Sequence, residues 1–395
     1  MSASNDRNHP LLRRKQDGDC VIAAIICHLT NASGDAMFDR STMSKAAATL
    51  VATFAAALPV VAGAQQKVTF QSNWFAQAEH GGLYQAVAEG TYKKYGLDVT
   101  IKMGGPSLNT LQVMAAGQAD CMMSADTATL LARSTGVPVV TVASIFQKEP
   151  QVLIAHEDVK SFEQLKGKTI FIGANSHRTW WPWLKAKYGL TDSQVRPYTF
   201  NIQPFIADKD SAMQGFLTSE PFAIQKAGVK ANVLMFSDHG YPAYNTTIAC
   251  MEETVTKRKT ALAAFVKATM EGWKSYLANP APANALIRKD NPNMTEEQLA
   301  YSVAKLKEMG IIAGGDAQKL GIGVITEARL KATYDLMVTS GVIEPAKVDF
   351  AKTYSTEFVR DLMDAIHRES IRRQEATPEA ARSGSPTYTD NGQGH

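Results

Sequence analysis

From Lys67 onward, short apolar runs alternate with segments whose apolar residues recur every three or four positions. Runs rich in β-branched and aromatic residues predict strands at 68–70, 97–101, 120–123, 139–143 and 151–155. Segments of helical period between them predict helices at 81–92, 108–116 and 125–134. This rhythm is typical of an α/β unit, a mainly parallel sheet with helices on both faces.

A second unit of the same kind begins near Val159. Its predicted strands are 168–172, 197–201 and 233–237, and its predicted helices are 181–188, 208–215 and 219–227. After the apolar run 246–250 the pattern changes to long amphipathic helices at 255–277, 282–289, 295–309, 326–340 and 356–366. No stretch resembles a free linker, so we expect two lobes joined by short crossing strands, with a ligand cleft between them.

The segment Met43–Ala64 has the composition of an export signal. Lys45 precedes an apolar run, and Ala62-Gly63-Ala64 supplies the small residues of a cleavage site. We therefore predict cleavage near Ala64 and a periplasmic protein; a retained anchor is the alternative. Residues 1–42 are interpreted as a mis-assigned or disordered extension, and 366–395 as a disordered tail.

Composition excludes several classes of protein. The formal net charge of +3 is too small to indicate nucleic-acid binding. Only Cys121 and Cys250 follow the signal, both in apolar runs, so buried free thiols are predicted, with a single disulfide as the alternative. Neither metal-ligand spacing nor a hydrolase, phosphate-loop or dinucleotide motif occurs. We expect no catalytic residues, no metal and no cofactor.

Six short motifs together resemble one family. They are Asn73-Trp74-Phe75 with Glu79-His80-Gly81-Gly82, then 95–99, 116–120, 136–140 and 165–170. In this order they resemble the periplasmic substrate-binding proteins of ABC importers, in the branch that binds nitrate, taurine, sulfonates and thiamine-pyrimidine precursors. The resemblance covers about residues 67–363.

The resemblance implies a type 2 periplasmic binding fold. Lobe one would comprise 65–156 plus 248–365, and lobe two 157–247, with hinge strands near 154–157 and 243–248. The lobes would close on a small solute and present it to a permease in the inner membrane. We expect a monomer. In this fold Cys121 and Cys250 would lie on adjacent strands, which permits a bridge, although we retain the free-thiol prediction.

Candidate ligand groups in the first lobe follow the predicted strands. Asn73 and Trp74 end strand one, where Trp74 either stacks on a flat solute or belongs to the core. Glu79 is either a ligand group or a helix-capping carboxylate, and His80 either bonds the ligand or has a structural role. The glycines after His80 permit close approach of an acceptor to free amides.

Three further candidates in this lobe, each with helix capping as its alternative role, are Ser107, Ser124 and Asp126.

In the second lobe, Trp180, Trp181 and Trp183 occupy a helix start, and we expect Trp180 or Trp181 to face the cleft and Trp183 to be core. Glu220 either accepts hydrogen bonds from the solute or is a surface carboxylate. Weaker candidates at the second hinge are Tyr241, Tyr244 and Asn245.

The function that the sequence favours is a solute receptor for an ABC importer. Tryptophans with carboxylates suit a flat nitrogen heterocycle, and the motifs resemble the thiamine-pyrimidine branch; flavins, alkyl sulfonates and nitrate remain alternatives. Related eukaryotic enzymes of this fold make the thiamine pyrimidine by consuming a histidine, which His80 would match, and pyridoxal phosphate. Those enzymes have a CCCFC motif. The corresponding segment here, Thr246–Cys250, has a single cysteine, Cys250, so the resemblance favours a receptor over an enzyme. A receptor that signals to a membrane sensor is a third possibility.

Overall fold

The computed structural model describes residues 65–360 of the 395-residue chain. The predicted signal at 43–64, the extension 1–42 and the tail 366–395 lie outside the described residues. Within 65–360, no helix combines the length and apolar character needed to cross a membrane.

The strands are β1 (Gln66–Gln71), β2 (Leu97–Lys102), β3 (Cys121–Ala125), β4 (Val139–Phe146), β5 (Gln151–His156), β6 (Thr169–Ile172), β7 (Val195–Pro197), β8 (Ser211–Phe216), β9 (Ala231–Met235) and β10 (Asn245–Met251). The helices are α1 (Gly81–Ala88), α2 (Thr91–Lys94), α3 (Thr110–Ala115), α4 (Asp126–Ser134), α5 (Trp181–Tyr188), α6 (Gln203–Ala207), α7 (Glu220–Lys226), α8 (Glu252–Lys257), α9 (Lys259–Ala278), α10 (Ala281–Asp290), α11 (Glu296–Glu308), α12 (Ala317–Leu320) and α13 (Glu327–Thr339).

Two five-stranded sheets form the centres of two lobes. Lobe one contains the sheet β2-β1-β3-β10-β4, and lobe two contains the sheet β7-β6-β8-β5-β9. In lobe one β1 pairs in parallel with β2 and β3, while β10 is antiparallel to β3 and β4. Lobe two repeats this arrangement, with β6 parallel to β7 and β8, and β5 antiparallel to β8 and β9. The predicted two-lobed α/β class is therefore confirmed, with each sheet mixed in direction.

The lobes divide at positions that differ from the expected boundary. β5 lies in the sheet of lobe two, although 65–156 was assigned to lobe one. The chain first crosses between the lobes at 147–150 and returns through 236–244. The periodicity of β5 shows that it is buried, but only its hydrogen bonds to β8 and β9 decide which sheet contains it.

Two secondary-structure predictions are corrected, since the strand expected at 197–201 lies at Val195–Pro197 and one expected helix is a strand. Residues 208–215 were expected to form a helix, but Ser211–Phe216 is the strand β8 at the middle of its sheet. Half of its six residues are small (Ser211, Ala212 and Gly215), and a short run of this kind carries no reliable period. Pairing with β5 and β6 on both sides determines its conformation.

The free-thiol prediction is also wrong, since Cys121 and Cys250 form a disulfide. β3 and β10 run antiparallel with these two residues directly opposite each other. Their Cα atoms are 4.2 Å apart, and both side chains are fully buried. The register of the two strands, which the sequence does not reveal, brings the sulfur atoms together.

Candidate functional site

The loop after β1 carries Trp74 and is held in shape by His80. The imidazole Nδ1 accepts a hydrogen bond from the Gln77 N–H (3.2 Å), and Nε2 lies 3.0 Å from the Ser72 hydroxyl. The Ser72 hydroxyl in turn donates to the Trp74 carbonyl at 2.9 Å. Burial lowers the pKa of His80 to about 4, so the ring is neutral. Both of its nitrogens are engaged within the loop, which gives His80 a structural role in presenting Trp74.

Trp74 meets an aromatic side chain from lobe two. Its ring centroid lies 4.7 Å from that of Phe200, which follows β7, and 5.9 Å from that of Phe75. The Phe200 ring also lies 5.2 Å from the Tyr198 ring. Phe75 and Phe200 are 43% and 46% exposed, unusually high for phenylalanine. Aromatic groups from both lobes therefore meet between the carboxyl ends of β1 and β7.

Two carboxylates meet beside these rings, one from each lobe. The Thr218 hydroxyl, which follows β8, donates to the Glu79 carboxylate of lobe one. The Glu220 carboxylate accepts from the Tyr198 hydroxyl at 3.1 Å and from the Phe216 N–H at 2.7 Å. The segment 216–220 of lobe two therefore contacts Glu79 through Thr218 and also contains Glu220.

Burial determines the ionisation of both acids. Burial, with a smaller contribution from the nearby Glu220, raises the pKa of Glu79 to about 7. Burial likewise raises the pKa of Glu220. Among the described residues, no basic side chain contributes to either pKa. Neither acid is therefore paired with a basic side chain within residues 65–360.

The two glycines after His80 serve helix packing. A Cβ on Gly82 would lie 2.1 Å from the Trp273 ring, and one on Gly81 would lie 2.2 Å from the Tyr276 ring. Both aromatic residues belong to α9, so the backbone of α1 approaches α9 more closely than any side chain permits. The sequence predicted the approach of a ligand acceptor at these glycines, whereas the close approach in the structure is that of α9.

Ser107 and Ser124 have no capping role. Ser107 is exposed, and α3 is capped instead by Asn109, whose side chain accepts from the Gln112 N–H at 3.2 Å. Ser124 is 9% exposed, and its hydroxyl donates to the Ala125 carbonyl at 3.4 Å. Asn73 is exposed beside Trp74.

Asp126 and Tyr244 lie together at the second crossing. The Asp126 carboxylate accepts from the Tyr244 N–H at 3.1 Å and from the Thr127 N–H at 2.7 Å. The Tyr244 ring is fully buried, and its hydroxyl donates to Asp316 at 3.3 Å. The neighbouring Asn245 amide donates to Glu149 at 2.9 Å. These groups connect the hinge segments to each other.

The tryptophans at the start of α5 belong to the core of lobe two. Trp180 and Trp181 are each 1% exposed, contrary to the expectation that one of them faces the cleft. The Trp180 ring packs 4.7 Å from Phe236, and the Trp181 indole N–H donates to Asp192 at 2.8 Å. Trp183 is 7% exposed in the same core. These three rings pack in one buried cluster with Phe236.

Sequence reasoning missed Tyr198, Phe200 and Thr218. The strand predicted at 197–201 included Tyr198 and Phe200, whereas β7 ends at Pro197 and both residues follow it, as Trp74 follows β1. The same rule about carboxyl ends of strands applies to both loops. The misassigned helix at 208–215 obscured the position of Thr218 after β8.

The sequence model of the family described as NMT1/THI5 like matches residues 77–283. The riboflavin-binding protein RibY of Chloroflexus aurantiacus is 27% identical over 305 residues, which are 74% of this chain and 86% of that protein. The formylaminopyrimidine-binding protein of Halalkalibacterium halodurans is 25% identical over 65% of this chain and 82% of its own length.

A more limited match is the 4-amino-5-hydroxymethyl-2-methylpyrimidine phosphate synthase of Aspergillus parasiticus. It is 29% identical over only 26% of this chain and 31% of that enzyme. Among solved structures, the alkanesulfonate-binding protein SsuA of Xanthomonas axonopodis pv. citri, bound to MOPS, superposes with a TM-score of 0.56. That similarity covers 73% of this chain and 98% of SsuA at 13% identity, so it concerns the fold.

Proposed function

Because the chain belongs to the NMT1/THI5-like family, we propose that it is the solute-binding component of an ABC importer, acting as a monomer in the periplasm. The two-lobed fold supports this role, since residues from both lobes converge between the sheets. The lobes would close on a small solute and present it to a membrane permease.

The observation that carries the proposal is the meeting of aromatic rings and carboxylates from opposite lobes. Trp74 and Phe200 offer flat apolar faces, on which a heterocycle would stack. Glu79 and Glu220 offer acceptors for its N–H groups. The solute is therefore a flat nitrogen heterocycle that bears donors, with a thiamine-pyrimidine precursor favoured and a flavin second.

The same electrostatics disfavours a sulfonate or nitrate. An anion would be repelled by either acid in its ionised form, and neither acid has a basic neighbour that would compensate the cost of desolvating the anion. The names of two relatives, a riboflavin-binding and a formylaminopyrimidine-binding protein, refer to nitrogen heterocycles and agree with this choice.

Contacts within the fold also favour a receptor over a synthase. His80 uses both ring nitrogens to hold its own loop and is 1% exposed. Cys250 is bonded to Cys121, and the segment 246–250 that contains it has no second cysteine. The resemblance associates the enzymes with a consumed histidine and a cysteine-rich motif. In this chain, His80 is occupied by its own loop, and the segment 246–250 has a single cysteine that is already bonded.

The direct test is mass spectrometry of small molecules released from the purified protein, followed by calorimetry. The panel is 4-amino-5-hydroxymethyl-2-methylpyrimidine, riboflavin and MOPS. We expect the pyrimidine or riboflavin to bind and MOPS not to bind. Binding of MOPS alone, or chemical conversion of a bound compound, would contradict the proposal.

Two variants locate the site. Trp74→Ala should weaken binding of the heterocycle more than about tenfold, because stacking of a base on an aromatic ring contributes about 1–3 kcal/mol. Glu220→Gln should weaken an amino-bearing solute by removing a charged acceptor. The exposed Glu253→Gln on α8 is the matched control and should bind as wild type. Unchanged affinity in both site variants would place the ligand elsewhere.

A further inference from the structure

Phe200 has a backbone conformation that a bulky side chain rarely adopts. Its φ is +62°, in the left-handed region, and its ring is 46% exposed. Strained conformations of this kind persist where the surrounding structure imposes them, and they concentrate at functional sites. Phe200 therefore calls for a functional explanation.

The segments on both sides of Phe200 hold it in place. The Tyr198 N–H donates to the Ile172 carbonyl at 2.9 Å, which extends the pairing of β7 with β6. On the other side, the Asn201 side chain accepts from the Gln203 N–H at 3.0 Å at the start of α6. The loop is thereby fixed at both ends, and the Phe200 ring is directed across to lobe one, onto Trp74.

The Trp74 and Phe200 rings are too close together to hold a planar guest between them without movement. Their centroids are 4.7 Å apart with planes inclined by 58°. A planar guest between two rings needs about 7 Å, which is two contact distances of about 3.5 Å. Because one ring belongs to each lobe, a single aromatic layer needs a separation of about 2 Å between the lobes and a rotation of one ring that brings the two inclined planes parallel.

We propose that Phe200 is the second stacking residue of the site: it covers the exposed face of Trp74, and a flat guest inserts between the two rings. The guest then stacks on Trp74 from lobe one and on Phe200 from lobe two. This inference rests on the proposed function for the existence of the guest. The contact between the two rings can be tested without it.

The other aromatic groups nearby are less suited to this role. Phe75 lies on the same lobe as Trp74 and meets it edge-on, with the planes inclined by 67°. Tyr198 is 6% exposed, and its hydroxyl is bonded to Glu220. Phe200 alone among these three combines exposure with a position opposite Trp74.

Acrylamide quenching of tryptophan fluorescence tests the covering contact in the guest-free protein. Of the five tryptophans, Trp180, Trp181, Trp183 and Trp273 are at most 7% exposed, so the accessible signal comes from Trp74. Phe200→Ala should raise the quenching constant. The control is Phe350→Ala, a half-buried phenylalanine of lobe one that contacts Tyr334 and Tyr354, and it should leave quenching unchanged. Equal quenching in Phe200→Ala and wild type would overturn the covering role.

Calorimetry with riboflavin and with 4-amino-5-hydroxymethyl-2-methylpyrimidine tests the stacking role. Phe200→Ala should weaken whichever compound binds by about tenfold, and Phe200→Tyr, which keeps the ring, should bind within about threefold of wild type. Phe350→Ala should bind as wild type. Wild-type affinity in Phe200→Ala would reject the stacking role.

If neither compound binds any variant, the proposed heterocycle and the stacking role both fail. The quenching result still decides whether Phe200 covers Trp74, so the two failures are distinguishable.

Discussion

At the scale of single residues, the acids of the cleft determine how the site responds to pH. Glu79 is 4% exposed, and burial raises its pKa to about 7. Near neutral pH its carboxyl is therefore divided between the protonated and the ionised form. An N–H group of the guest donates to a carboxyl oxygen that carries no proton. This hydrogen bond is strongest when the carboxylate is ionised.

The raised pKa of Glu79 predicts that binding of the guest depends on pH. Below about pH 7 the guest-free protein holds a proton on Glu79 that must be released for the strongest hydrogen bond to form. Affinity for 4-amino-5-hydroxymethyl-2-methylpyrimidine should therefore rise with pH by up to about tenfold per unit below pH 7, and then level off. Calorimetry of wild type and Glu79→Gln checks this, and the variant should lose the dependence. The same slope in both proteins would assign it to another group.

At the scale of elements, the antiparallel strands β3 and β10 join the part of lobe one that precedes lobe two in the chain to the part that follows it. β3 precedes the first crossing and β10 follows the second, and their disulfide joins residues 129 positions apart. All of lobe two lies within the loop that this bond closes. A covalent link across so long a loop restricts the unfolded chain strongly.

We expect removal of this bond to destabilise the protein. Cys121→Ala combined with Cys250→Ala should lower the free energy of unfolding by about 2–4 kcal/mol, measured by urea denaturation. Reductant should lower the unfolding midpoint of wild type and leave that of the double variant unchanged. A wild-type midpoint that is insensitive to reductant under unfolding conditions would contradict the expectation.

At the scale of the whole molecule, buried polar groups connect the two crossings. Arg329 of α13 donates to the carbonyls of Pro242 at 2.8 Å and Ala243 at 3.2 Å in the second crossing, and to the Gln147 carbonyl in the first. Glu149 of the first crossing accepts from both the Asn245 amide and, at 3.1 Å, the Gln151 N–H. The two crossings are therefore connected by specific hydrogen bonds.

Glu149 should make stability depend on pH. Burial raises its pKa from 4.5 to about 8, so folding favours its protonated form. Its stabilising contribution is complete below pH 4.5 and is lost as pH rises through about 8, with a slope of at most about 1.4 kcal/mol per pH unit. Urea denaturation between pH 5 and pH 8 should show a shallower decline for Glu149→Gln than for wild type. Parallel curves would show that Glu149 does not titrate in this range.

The period of apolar positions predicted most of the strands and helices. The placement of side chains depended on contacts between residues far apart in the chain. The alternation of strands and helices indicated both lobes, because the period of apolar positions is a local property. The same pattern misassigned β8 and placed β5 in the wrong lobe, since pairing partners decide both. The loop that carries Trp74 could be recognised from its place after β1, whereas Phe200 after β7 was overlooked.

The amino-acid sequence by itself determined the α/β class, the two-lobed organisation and the family, because motifs and the period of apolar positions are properties of short segments and do not depend on tertiary contacts. Only the tertiary structure decided that Trp180 and Trp181 fill a core, that Cys121 is bonded to Cys250, and that the Phe200 ring contacts the Trp74 ring. Each of these outcomes depends on residues far apart in the chain. Strand register and lobe packing bring those residues together, and neither is encoded in any single segment.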